Sequence, residues 1–217
     1  MKARPTSKAW MHEHLNDEFV KRAQREGYRA RSAYKLIEID DKDRLIKPGM
    51  MVVDLGAAPG SWSQVAMQRL KGKGRVIALD LLEIQPIHGV DFIQGDFREQ
   101  VILEQLEEML NGKQVDLVIA DMAPNMSGVA LVDQGSVSYL TELALEFSLK
   151  WLKPGGNFLV KVFVGTGFDD IVRSMRLGFE KVATRKPKAS RGRSSEVYLV
   201  GLKRRAPAAE NKATESN

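Results

Sequence analysis

The stretch Asn157–Phe163 reads NFLVKVF, and its composition is that of a buried strand except for Lys161 at the centre. An ammonium group there is expensive unless charged partners meet it, so Lys161 is a candidate for a site residue rather than a packing residue. A second group lies in VVDLGAAPGSW at 52–62. Gly56 and Gly60 bracket a tight passage from strand to helix, and Pro59 and Ser61 suit the first helical turn, which predicts a ligand crevice at the strand's carboxyl edge. The dinucleotide fingerprint G-x-G-x-x-G is absent, so a nucleoside ligand fits this turn better than a pyrophosphate. Asp80 ends RVIALD, where a carboxylate can accept hydrogen bonds from two ribose hydroxyls. Asp96 follows the next strand in FIQGDF, placed to take an adenine amino group. Singly, each carboxylate is as well explained as a strand-end or N-cap residue; together at consecutive strand ends they point to one crevice.

The elements that must position these residues follow from hydrophobic period. Helices are expected at about 8–26 and 30–39. Short β-branched runs follow at 51–55, 75–79, 90–93, 115–120 and 157–163, separated by helix-length segments at 61–70, 99–110 and 134–150. Such alternation predicts βαβ units and a mostly parallel sheet. LGFEKVATRKP and SSEVYLVGLK flank the basic turn KASRGRS and read as a closing antiparallel hairpin at the sheet edge. One domain is expected over 1–203, with a basic helical extension at 1–47 and a disordered tail at 204–217.

Composition narrows the class of function. The 217 residues contain no cysteine, which removes disulfides, thiolate nucleophiles and Cys-based metal sites. Three histidines, His12, His14 and His88, lack the spacing of a metal site, so none is expected. No apolar run approaches the length of a membrane span, and the N-terminus lacks the apolar core of a secretory signal, so a cytoplasmic protein is expected. Residues 1–35 carry nine Lys/Arg against four Asp/Glu, and 181–205 carry nine against one, around an acidic middle. Basic arms of this kind suit a polyanion, and RKPKASRGR at 185–193 is the densest; a solvated surface is the plainer alternative.

These motifs carry a family resemblance. D-L-G-A-A-P-G-S-W, the acidic ends at Asp80 and Asp96, and the D-M-A-P-N that begins at Asp121 resemble an S-adenosylmethionine-dependent methyltransferase, and closely the FtsJ-type ribosomal RNA 2′-O-methyltransferases. The likeness spans nearly the whole chain, from YRARSAYKL at 28–36 to SSEVYL at 194–199. It implies a Rossmann-like α/β fold with a mostly parallel seven-stranded sheet, a C-terminal antiparallel hairpin and helices on both faces. It implies S-adenosyl-L-methionine as cofactor, contacted by Gly60, Trp62, Asp80, Asp96 and Asp121. It also implies a catalytic tetrad of Lys35, Asp121, Lys161 and Glu196.

The implied reaction is attack of a ribose 2′-oxygen on a sulfonium methyl. Lys161 is read either as the base that takes the hydroxyl proton or as a charged group that orients the hydroxyl; burial and Lys35 would favour the first, Asp121 and Glu196 the second. The implied substrate is a uridine in the A loop of 23S ribosomal RNA, within the assembled large subunit, and the protein is expected to be a monomer. A binding-only ribosome-assembly factor, a small-molecule O-methyltransferase and a nicotinamide-dependent oxidoreductase are the rivals. The complete tetrad, the basic arms in place of an apolar lid, and the missing G-x-G-x-x-G weigh against each in turn.

Overall fold

The computed structural model describes residues 17–122, 130–165, 167–190 and 194–207. A seven-stranded sheet in the order β3-β2-β1-β4-β5-β7-β6 forms its centre. The strands are β1 (Met51–Leu55), β2 (Arg75–Asp80), β3 (Val90–Gln94), β4 (Val115–Ala120), β5 (Leu152–Phe163), β6 (Phe179–Arg185) and β7 (Glu196–Arg204). The first five run parallel, and β7 pairs antiparallel with both β5 and β6. The hairpin therefore closes the sheet as expected, but its second strand lies inside, with β6 at the edge. Strand order reverses between β1 and β4, the place where an open α/β sheet parts to admit a ligand.

The helices are α1 (Glu18–Glu26), α2 (Ala33–Asp43), α3 (Ser61–Leu70), α4 (Gln100–Leu110), α5 (Ala130–Trp151) and α6 (Phe168–Gly178). Period-two burial sends alternate strand residues to opposite layers. Val53, Leu55, Val118, Val160 and Leu199 face α4, α5 and α6. Val52, Leu117, Ile119, Leu159 and Tyr198 face α2 and α3. Lys161 shares the parity of Leu159 and pairs across the ladder with Tyr198, so its side chain belongs to the layer of α2, where Lys35 also lies.

Helix α6 was not anticipated. FDDIVRSMRLG alternates between charged and apolar residues, yet its apolar positions buried on one side, Ile171 and Met175, stand four apart, and Gly167 caps the start with φ 83°. The first helix is described only from Glu18, and the expected segment before Asp17 lies outside the described residues, as do 208–217 of the expected tail. No helix among the described residues is long and apolar enough to cross a membrane.

Candidate active site

The cleft opens at the carboxyl ends of β1, β2 and β4, lined among others by Gly56, Asp80, Leu81, Asp96, Phe97, Asp121 and Met122. Its volume of about 230 Å³ lies just below the range of about 300–1,000 Å³ usual for ligand pockets, and suits a nucleoside better than a dinucleotide. Gly56 is obligatory at the floor. Its φ is 76°, and a Cβ there would stand 2.8 Å from the backbone of Met122, so β1 and the segment after β4 can approach only without a side chain.

Asp80 is held by the loop it serves. Its Oδ2 accepts from Ala58 N at 2.8 Å and its Oδ1 from Leu82 N at 2.8 Å. Each oxygen retains a free acceptor position, the pair that a ribose diol requires. Leu81 and Leu82 stay exposed beside it, at 52% and 67%. Asp96 also lines the cleft and is gripped by Arg98.

Neither Gly60 nor Trp62 is among the residues that form the cleft walls. Gly60 has φ 100°, and a Cβ there would meet Arg29 Nη1 at 2.7 Å and Ile87 Cδ1 at 2.8 Å. Arg29 uses that space to bind Pro59 O, Gln85 O and Pro86 O, pinning the glycine turn to the segment after β2. The Trp62 indole is 2% exposed. It donates to Ser32 O at 2.9 Å and packs 5.8 Å from the Tyr198 ring. Trp62 thus fixes the start of α2, and with it Lys35.

The four tetrad residues converge as two ion pairs. Lys161 Nζ donates to Asp121 O at 2.7 Å and stands 3.0 Å from Asp121 Oδ1, with the lysine side chain 8% exposed. Lys35 Nζ donates to Glu196 Oε1 at 2.6 Å. Tyr198 joins the pairs: its hydroxyl lies 3.0 Å from Asp121 Oδ1 and 3.1 Å from Glu196 Oε1. Ser190 Oγ adds a bond to Glu196 Oε1 at 3.0 Å. Neither Tyr198 nor Ser190 was expected from the sequence; the signal available for Tyr198 was its place two residues after Glu196 on one strand, hence on the same face.

Electrostatics agree with this wiring. Burial pushes the Glu196 carboxyl up, but the charge and hydrogen bond of Lys35, with Lys161 and Ser190 added, outweigh it and hold the group below the usual carboxylate range. Burial, then Asp121 and Glu196, push the Tyr198 phenol well up, so it remains a donor. Behind the cleft, Asp54 is fully buried and pushed up to about 7 by desolvation, with Asp121 and Asp80 adding to it against the Ser63 hydrogen bond.

Several cations of the basic arms have partners inside the protein. Arg185 forks onto Asp43 at 2.7 and 2.6 Å. Arg31 binds Asp17 and Ala189 O, and Lys186 binds Ser194 O and Glu196 O. Lys188 is exposed, whereas Arg191 and Arg193 lie outside the described residues.

This arrangement has known counterparts. The model of FtsJ-like methyltransferases matches residues 28–204. The chain belongs to the FtsJ-like methyltransferase family. It is 78% identical to "Ribosomal RNA large subunit methyltransferase E" of Methylobacillus flagellatus, covering 94% of this chain and 99% of that one. With the protein of the same description from Nitrosospira multiformis it shares 62% identity, covering 94% and 100%. A crystal structure described as a ribosomal RNA methyltransferase from Plasmodium falciparum superposes with a TM-score of 0.74 at 31% identity, over 83% of this chain and 100% of that one. The FtsJ-like match begins at Tyr28 and so takes in Lys35, both glycines of the turn and the whole hairpin.

Proposed function

We infer that this FtsJ-like protein transfers a methyl group from S-adenosylmethionine to a ribose 2′-oxygen of large-subunit ribosomal RNA. One observation carries the reading: Asp121 belongs both to the nucleoside-sized cleft and to the cluster around Lys161, so the donor site and a hydroxyl-binding lysine share a residue. The donor set fits the cofactor. Asp80 offers two acceptors to a ribose diol, Asp96 one acceptor to an amino group, and Leu79, Phe97 and Met122 supply apolar walls for a purine. Bound there, the cofactor supplies an electrophilic methyl on a sulfonium.

The protein's own part is positioning and proton handling. Two of the three directions around Lys161 Nζ are spent on Asp121, through its main-chain oxygen and its carboxylate. The third is left for the substrate hydroxyl. Held as the neutral amine, with its two N–H bonds on Asp121, Lys161 turns its lone pair to the hydroxyl and takes that proton as the oxygen–carbon bond forms; the resulting ammonium then releases it to water. Lys35 and Glu196, tied through Tyr198, hold Asp121 and the ribose in register. A 2′-hydroxyl is what separates RNA from DNA at such a site. The relatives' description names large-subunit ribosomal RNA; the finer target we propose is a uridine of the 23S A loop in the assembled particle, met by a monomer.

Mass mapping of ribosomal RNA tests this. Large subunits from cells lacking the protein, incubated with it and labelled cofactor, should gain one ribose-methylated uridine in the A loop. A methylated base, or no product on either naked RNA or subunits, would overturn the reading.

A further inference from the structure

Asp96 is the only carboxylate of the cleft, among the described residues, that is forked by a guanidinium. Arg98 Nε lies 2.9 Å from Oδ1 and 3.0 Å from Oδ2, and Nη2 lies 2.5 Å from Oδ2. Arg98 N adds a bond to Oδ1 at 2.9 Å. The geometry is built by the turn itself. Glu99 N donates to Asp96 O at 2.9 Å, folding the chain back so that Arg98 reaches Asp96, and Phe97 between them is buried in the core. Arg98 is half-exposed and lines the neighbouring hollow between α4 and α5, so it approaches Asp96 from the side away from the cleft.

Counting acceptors gives the consequence. A carboxylate has about four lone-pair positions. Three hydrogens reach it, Arg98 N on Oδ1, Nη2 on Oδ2 and the single Nε hydrogen shared between the two oxygens, which leaves about one position. We propose that Arg98 is a positioning residue that makes Asp96 selective for a 6-aminopurine over a 6-oxopurine, by leaving one acceptor, and no donor, toward the cleft. One N–H of an exocyclic amino group matches that acceptor, whereas a 6-oxo group sets lone pair against lone pair. The hydrogen bond from Arg98, against a smaller opposing effect of burial, also holds Asp96 below the usual carboxylate range, so the acid form that could donate to a 6-oxo group is suppressed. The proposal rests on the cleft being the cofactor site.

Calorimetric titration with S-adenosylhomocysteine and with its 6-oxo analogue, S-inosylhomocysteine, between pH 5 and 8 tests it. Wild type should prefer the amino ligand by on the order of tenfold to a hundredfold, with a ratio nearly independent of pH. Arg98→Ala should weaken the amino ligand by about tenfold and the oxo ligand much less. Its ratio should shrink further toward pH 5, as the released Asp96 takes up a proton. Arg98→Lys, which keeps the charge and loses the fork, should fall between them. An unchanged ratio across pH in both variants overturns the proposal and leaves Arg98 as a surface ion pair. Failure of wild type to bind either ligand overturns the cofactor reading itself, and is distinguishable because it precedes any substitution.

Discussion

Lys161 and Tyr198 are direct partners across the β5–β7 ladder, and both reach Asp121: Lys161 at 3.0 Å and the Tyr198 hydroxyl at 3.0 Å from the same oxygen, Oδ1. That oxygen is where the cofactor cleft meets the tetrad. A phenol has one proton to give, and Tyr198 shares it between Asp121 and Glu196, so the two ion pairs form one unit. Tyr198→Phe keeps the ring packed against Trp62 and removes only the link. Stability should fall by about 1–2 kcal/mol and the methylation rate by roughly tenfold, with cofactor affinity unchanged. Equal rates in single-turnover assays would show that the link is structural alone.

Lys161→Ala should abolish methyl transfer while leaving cofactor affinity within a few-fold, since the proposed function sets Lys161 at the reacting oxygen and Lys161 is not among the residues lining the cleft. Lys161→Arg should fail as well, because a guanidinium does not accept a proton at working pH and its planar fork cannot occupy the same three directions. Near-normal turnover by either variant removes Lys161 from the proton path.

The fold was legible because burial enforces period: all seven strands and five of the six described helices announce themselves in the pattern of apolar residues. Lys161 was legible for the same reason, as a violation of it. What escaped reading obeyed the rules too well. Tyr198 is an ordinary strand aromatic until β7 is known to insert beside β5. Helix α6 buries only a narrow stripe. Arg185 reads as one more surface cation, and only the fold, which brings the end of β6 to the end of α2, reveals Asp43 beside it. Trp62 was found by resemblance, yet its indole props up α2 instead of facing the cleft.

Asp80→Asn should weaken cofactor binding by about 1–3 kcal/mol. The amide keeps one acceptor oxygen but turns an NH₂ toward either Ala58 N or Leu82 N, both of which are donors, so the loop shifts as well. Calorimetry with S-adenosylmethionine checks this, and unchanged affinity removes Asp80 from the ribose.

The basic hairpin should divide by position. Lys188→Gln should flatten the salt dependence of RNA affinity by roughly 0.7–0.9 in log–log slope, the loss of one neutralised phosphate, and leave the saturated rate alone. Arg185→Gln should leave the slope unchanged and cost about 1–3 kcal/mol of stability, because it strands the nearly buried Asp43. A lowered slope in Arg185→Gln would return that residue to the RNA surface.

Asp54 makes stability depend on pH in a definite direction. Its carboxyl is fully buried at the end of β1; Oδ2 accepts from Ser63 Oγ at 2.6 Å, and Oδ1 has no hydrogen-bond partner. Burial, with Asp121 and Asp80 nearby, raises it from 3.8 to about 7. Between those values the folded protein holds a proton that the unfolded chain has released, so stability falls as pH rises through the window and levels off above about 7. Glu196, held low, acts at the acid end: its contribution is present above its unfolded value and is lost as pH falls through its folded one. Measurements above pH 5 therefore isolate Asp54, and comparison with Asp54→Asn cancels the other groups. Urea unfolding from pH 5 to 9 should show the variant gaining on wild type as pH rises, by an amount on the order of a few kcal/mol. Ser63→Ala, which removes the hydrogen bond favouring the charged form, should move the window upward. Parallel curves for wild type and Asp54→Asn across this range would mean that Asp54 is ionised throughout and has found a partner for Oδ1.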